Sequence, residues 1–190
     1  MDVIMVADIF GRTEHLEALA RRVAPDGLRA RLLDPYGGET RTFADEDAAY
    51  RAFLSECGHA RYARLVRDAL DQSGECVLIG FSAGAAAAWT ALDGFRGPVR
   101  RFLGYYPSRI RDNPDIDLTT PTTLVFPAQE RHVDVGALMT VLARHETLTC
   151  VRTAYAHGFM NPFSPGFDPR GVETYAKVMA DCVGGGGMAG

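Results

Sequence analysis

The chain has 190 residues, 47% of them apolar and 23% charged, with a formal net charge of -4. That length suits one domain with a core of its own, and the slight acidity leaves no basic face to draw a nucleic acid. No apolar run approaches the roughly eighteen residues of a membrane span, and the opening Asp2-Val3-Ile4-Met5-Val6 lacks the basic start of a secretion signal.

Strand and helix signals alternate from end to end. Residues 2–7 read as an apolar strand, and 13–23 as a helix with Thr13 as its N-cap and leucines along one face. Residues 28–33 read as the second strand, closed by the loop signal Asp34-Pro35-Tyr36-Gly37-Gly38. A polar, alanine-rich segment over 44–70 reads as helix, broken in two at Cys57-Gly58-His59. Cys76-Val77-Leu78-Ile79 is wholly apolar, as expected of a strand buried on both faces, and residues 85–92 carry the strongest helix propensity in the chain. Residues 99–104, 122–126 and 148–153 read as strands, 133–144 and 171–183 as helices, and 105–120 as a loop rich in proline and acids. Residues 1–183 are expected to form one domain, and the glycine-rich stretch 184–190 a disordered tail.

This alternation predicts an α/β fold, a compact parallel sheet of about six strands with helices on both faces and right-handed crossovers. Ligands of such sheets bind beyond the carboxyl ends of the strands. The loops starting at Asp8, Asp34, Phe81, Tyr105, Pro127 and Ala154 should therefore share one rim. The four cysteines, Cys57, Cys76, Cys150 and Cys182, are far apart and form no C-x-x-C pair. Reduced thiols in a cytoplasmic protein are the expectation, with no metal site.

Gly80-Phe81-Ser82-Ala83-Gly84 lies between the apolar strand and the alanine-rich helix. A serine in a glycine-flanked strand-to-helix turn is the arrangement called a nucleophile elbow. Small residues let strand and helix approach, and the helix points its free N–H groups at the place where an oxyanion would develop. A serine hydroxyl attacks a carbonyl only if a base takes its proton. Five histidines are available. His15, His59 and His145 fall in or at the ends of helices and read as surface residues, and His132 falls in a turn beside Arg131. His157 follows the last strand directly, at the sheet's carboxyl end, and is the best-placed base. The loop after the fifth strand offers two acids to orient it. Glu130 is the better placed, and Asp134 begins a helix, where capping explains it. The backbone N–H groups of Ala83 and Ile9 are the expected oxyanion donors.

With Asp8-Ile9-Phe10-Gly11 after the first strand, the elbow, and His157-Gly158-Phe159 after the last, the chain resembles the dienelactone hydrolase family of α/β-hydrolases over nearly its whole length. The resemblance is carried by Asp8-Ile9-Phe10-Gly11, Leu33-Asp34-Pro35-Tyr36-Gly37, the elbow, and Pro127 through Val133. It is carried above all by His157-Gly158-Phe159 followed by Asn161-Pro162 and Phe167-Asp168-Pro169. The resemblance implies the α/β-hydrolase fold, with His157 as the family's histidine. The chain also departs from the pattern. Founding members carry cysteine where Ser82 stands, and a glutamate that interacts with that thiol where Asp8 stands. They usually carry aspartate at the position of Glu130 and glycine at that of Pro127. The first strands of the usual eight-stranded sheet are expected to be missing, since residues 3–6 match the third. Serine with an altered acid favours a general esterase or related acyl hydrolase over true dienelactone specificity.

Asp8, Phe10, Tyr36, Tyr106 and Phe159, with Tyr105 and Phe163 beside them, are expected to shape a pocket for a small ester, lactone or thioester. Arg12, Arg109 and Arg131 lie near the rim and could meet a substrate carboxylate. The sequence has no G-x-G-x-x-G and no P-loop, so no cofactor is expected. The expected partners are therefore the small-molecule substrate, no nucleic acid and no membrane, and a second copy could cover the sheet edge left by the missing strands. Two other readings stay open: a non-catalytic protein using the same pocket to bind a ligand, and acyl transfer to an acceptor other than water.

Overall fold

The computed structural model describes residues 1–24, 28–131 and 133–185. His132 and residues 186–190, most of the tail expected to be disordered, lie outside them. Six strands form one parallel sheet: β1 (Asp2–Val6), β2 (Arg29–Leu33), β3 (Cys76–Phe81), β4 (Val99–Tyr105), β5 (Thr122–Phe126) and β6 (Leu148–Arg152). Their order across the sheet is β2-β1-β3-β4-β5-β6, and every pairing is parallel. β1 thus lies one strand in from the β2 edge, and the winding reverses direction between β1 and β3, which are neighbours. That reversal is where an open parallel sheet leaves a crevice.

Period-two alternation divides the strand side chains between two cores. Val3, Met5, Val77, Ile79, Leu103 and Val125 point to one face, where α1 (Glu14–Val23) and α6 (Pro169–Val183) cover them. Ile4, Val6, Leu78, Phe102, Leu124 and Phe126 point to the other, beneath α2 (Glu46–Glu56), α3 (Gly58–Asp71), α4 (Ala83–Ala91) and α5 (Val135–Leu142). The central strand β3 is buried along its whole length, whereas β2 exposes Arg29 and Arg31 at one edge of the sheet. Charged side chains on an edge discourage further strand pairing. All four cysteines are free thiols. Among the described residues, no helix is long and apolar enough to cross a membrane.

Helix starts follow local chemistry. Thr13 caps α1 by accepting from the Leu16 N–H, Asp134 caps α5 by accepting from Ala137, and Asp168 caps α6, whose first residue is Pro169. The expected break falls at Cys57, between α2 and α3. α4 differs from the other helices: eight of its nine residues are buried, so it is a core helix with no polar face. It begins at Ala83 instead of Ala85, because the first turn winds directly out of the elbow. Alanine and glycine are needed there for proximity. A Cβ on Gly84 would overlap the carbonyl oxygens of Val6 and Ala7, and one on Gly80 would stand 2.7 Å from the Ala85 Cα.

Alanine is the better helix former by about 1 kcal/mol, yet at position 84 it would collide with strand backbone that cannot rotate away. Overpacking of this kind typically costs about 1–3 kcal/mol, and sometimes more. Gly84→Ala is therefore expected to lower the unfolding free energy from urea denaturation by that amount, with a lower midpoint, or to abolish folding. An unchanged midpoint would contradict the close approach of α4 to β1.

Candidate active site

The elbow holds Ser82 at φ 47, a positive value that a serine adopts only under constraint. Both of its backbone polar groups are committed. Its N–H donates to the Tyr105 carbonyl of β4 at 3.0 Å, and its carbonyl accepts from the Ala86 N–H at 3.0 Å. Strand pairing on one side and the first helical turn on the other fix the residue in this conformation. The hydroxyl then stands at the rim, with the residue 9% exposed.

Ser82 Oγ lies 2.9 Å from His157 Nε2. On the far side of the ring, His157 Nδ1 meets the Glu130 carboxylate. The acid on Nδ1 fixes the tautomer, so that the Nδ1 proton points to Glu130 and Nε2 is left to accept from the serine. Both partners are partly sheltered, with side-chain exposures of 29% for His157 and 20% for Glu130. The ring of Tyr106, just beyond the end of β4, lies 5.2 Å from the imidazole. Asp134, the other acid considered, uses its carboxylate to cap α5.

Ser82, His157, Glu130, Ile9 and Ala83 all line one cleft of about 360 Å³. Ala83 opens α4 directly after the serine, and Ile9 lies in the turn after β1, the strand that neighbours β3. Neither N–H has a backbone or side-chain acceptor among the described residues. The turn at Ile9 is held from behind, because the Tyr36 hydroxyl donates to the Ile9 carbonyl at 2.7 Å.

The residues expected to shape the substrate pocket are placed differently. Asp8, Phe10, Tyr36, Tyr106 and Phe159 are all buried, and none of them lines the main cleft. Phe159 is fully buried and packs on Tyr155, Tyr106 and Tyr175, holding the loop after β6 to the sheet. Only Asp8, Phe10 and Tyr106 come near Ser82, around a narrow recess of about 10 Å³ behind it. Rings at a strand-to-loop junction gain more by filling the core than by facing a solvated cleft. Tyr105 is also buried, and Phe163 is mainly exposed. Arg12 pairs with Glu17 and Arg109 with Asp112.

Arg109 and Arg131, expected near the rim, do line the cleft, and most of the remaining wall comes from elements read in the sequence only as structure. Glu46, Asp47 and Tyr50 of α2 and His59 of α3 form one side. The segment from Pro107 to Arg111 and the pair Val135 and Leu138 of α5 complete it. A usable signal was present: α2 follows the rim loop of β2, so its first turn falls at the carboxyl ends of the strands. His59, expected at the surface, is half-buried against the Phe53 ring. Burial, with some help from the Arg109 charge, lowers its pKa, which keeps it neutral. His15 and His145 are likewise half-buried.

Asp8 also departs from its expected surroundings. Its Oδ1 accepts from the Phe10 N–H at 2.9 Å and its Oδ2 from the Asn161 side-chain amide at 2.6 Å. Desolvation raises its pKa above the ordinary carboxyl value, while Asn161, Phe10 and His157 pull it back.

No protein-family model matches the chain, and no curated protein matches it as a relative. Solved structures do match in fold. A dienelactone hydrolase-like promiscuous phosphotriesterase from metagenomic libraries superposes with a TM-score of 0.67 at 19% identity, covering 95% of this chain and 85% of the other. Est1E from Butyrivibrio proteoclasticus gives 0.62 at 14% identity, covering 95% and 86%. Mouse alpha/beta hydrolase domain-containing protein 10 gives 0.67 at 12% identity, covering 97% and 90%. The chain has the α/β-hydrolase fold.

Strain of this kind typically costs about 1–3 kcal/mol and is relieved by glycine, whose own penalty is about 0.5–1 kcal/mol. Ser82→Gly should therefore be more stable than Ser82→Ala, which keeps the strained Cβ, by about 1 kcal/mol in urea denaturation. Equal stabilities would mean that the elbow is relaxed.

Proposed function

We propose that this protein is a serine hydrolase of the dienelactone hydrolase-like type, cleaving a small ester, lactone or thioester through an acyl-Ser82 intermediate. The observation that carries this reading is the continuous hydrogen-bonded chain from Ser82 Oγ through His157 to Glu130. It ends on a serine held in a strained elbow at the bottom of a cleft.

As Ser82 Oγ bonds to the substrate carbonyl carbon, its proton passes to His157 Nε2. Glu130 holds the Nδ1 proton and stabilises the imidazolium that forms. The carbonyl oxygen becomes an oxyanion, received by the N–H groups of Ala83 and Ile9. When the tetrahedral adduct collapses, the bond to the alcohol or thiol breaks and His157 Nε2 returns its proton to the leaving group. Water then attacks the acyl-serine, losing a proton to His157. The second collapse releases the acid and restores the Ser82 hydroxyl. Asp134 has no part in this sequence, since its carboxylate caps α5. A half-polar cleft of this size suits a short substrate.

Kinetics with p-nitrophenyl acetate test the assignment. Ser82→Ala and His157→Ala should each lose about 10⁴-fold or more in kcat, and Glu130→Gln about 10²–10⁴-fold. Asp134→Asn should leave kcat within a few-fold of wild type. Unchanged turnover by Ser82→Ala would refute the reading.

A further inference from the structure

Asp8 takes no part in the proton transfers just described, yet it is the most deeply buried carboxyl group near Ser82, with 9% of its surface exposed. Burying a charge is costly unless every lone pair in use has a donor. The two donors it has come from different parts of the site. The Phe10 N–H belongs to the turn that carries Ile9, and the Asn161 amide belongs to the loop that carries His157. Asn161 cannot turn its amide round, because its own Oδ1 accepts from the Phe163 N–H at 2.9 Å. Its backbone N–H donates to the Gly158 carbonyl at 2.8 Å, one residue from the histidine. One carboxylate therefore ties the oxyanion side of the cleft to the base side, over 153 residues of chain.

We propose that Asp8 is a positioning residue: its carboxylate brackets the Ile9 turn to the His157 loop and sets the distance between the oxyanion donor and the base. The inference rests on the serine-hydrolase reading above. Both arms require an ionised group, because both carboxylate oxygens face donors. A protonated acid or an amide could satisfy only one of them. The resemblance places at this position a glutamate that interacts with the nucleophile. In this chain the shorter side chain is turned to Asn161 and Phe10 instead. Tyr36 braces the same turn from the opposite side through the Ile9 carbonyl. Phe10 of the turn also packs on Phe163 of the histidine loop, but among the described hydrogen bonds only the Asp8 bracket joins the two.

The pair can be exchanged without losing a hydrogen bond. In the double variant Asp8→Asn/Asn161→Asp, the amide at 8 still accepts from Phe10 through its oxygen and donates across to 161. The carboxylate at 161 accepts both that amide and the Phe163 N–H. Each single variant instead sets donor against donor or acid against acid. The test measures kcat and KM for p-nitrophenyl acetate, together with thermal midpoints, for wild type, both single variants and the exchange. Displacing a reacting group by about 1 Å can cost about 100-fold, so each single variant should lose about 10–100-fold in kcat with KM nearly unchanged. The exchange should recover to within a few-fold of wild type.

Wild-type kcat in Asp8→Asn would overturn the proposal. So would an exchange that stays slow while melting like wild type, because a charge at position 8 itself would then be what matters. If the single variants lose activity only because they are unfolded at the assay temperature, the bracket is structural and the proposal fails. Ser82→Ala, assayed in parallel, separates the two levels. If it is as fast as wild type, the serine-hydrolase reading fails; if it is inactive beside a fully active Asp8→Asn, only the bracket does.

Discussion

The approach of α4 to β1 governs the geometry of this protein. Gly84 lets the first turn of the helix sit against the carbonyls of Val6 and Ala7, and Gly80 lets the same turn fold back over β3. With strand and helix so close, the linking residue has no relaxed conformation, and Ser82 is held at positive φ with both backbone groups bonded. Oγ is thereby aimed along the rim, and the Ala83 amide is placed at the helix start, where the dipole and unpaired N–H groups favour negative charge. The cost of that strain is met by a core helix that is buried on nearly every side.

Sheet order turns this local constraint into a site. β1 and β3 are neighbours, so the turn after β1 brings Ile9 beside the elbow. β5 and β6 end farther along the same rim, and their loops supply Glu130 and His157. Four separate segments therefore converge without any long excursion of the chain. The loop after β6 has the farthest to reach, which is why it carries so much anchoring. Phe159 is fixed among aromatic rings, Asn161 is bonded to Asp8, and Asp168 caps the helix that follows.

The sheet and most helix limits were legible in the sequence because each rested on a strong local signal. An unbroken apolar run marked β3, an N-cap threonine marked α1, and a glycine after a cysteine marked the break between α2 and α3. The meeting of Ser82, Glu130 and His157 was legible for a different reason. Position at the carboxyl end of a parallel strand constrains a residue in three dimensions even when its neighbours in sequence are distant. The choice of Glu130 over Asp134 followed from capping, a local effect that a helix start displays openly.

The walls of the cleft were not legible in this way. Whether an aromatic side chain at a strand end turns outward or inward depends on packing against elements far away in sequence, and Phe159 and Tyr106 turn inward. The first turn of α2 and His59 faced the same difficulty in reverse, as helical positions whose site-facing side is set by tertiary packing. The central claim is that the Ser82 hydroxyl is a nucleophile activated by His157. Peptide mass mapping after treatment with a fluorophosphonate probe tests it most directly. The account predicts one phosphonyl adduct, on Ser82, formed rapidly by wild type and nearly abolished in His157→Ala. Equal labelling of both proteins, or an adduct on another residue with Ser82 unmodified, would contradict it.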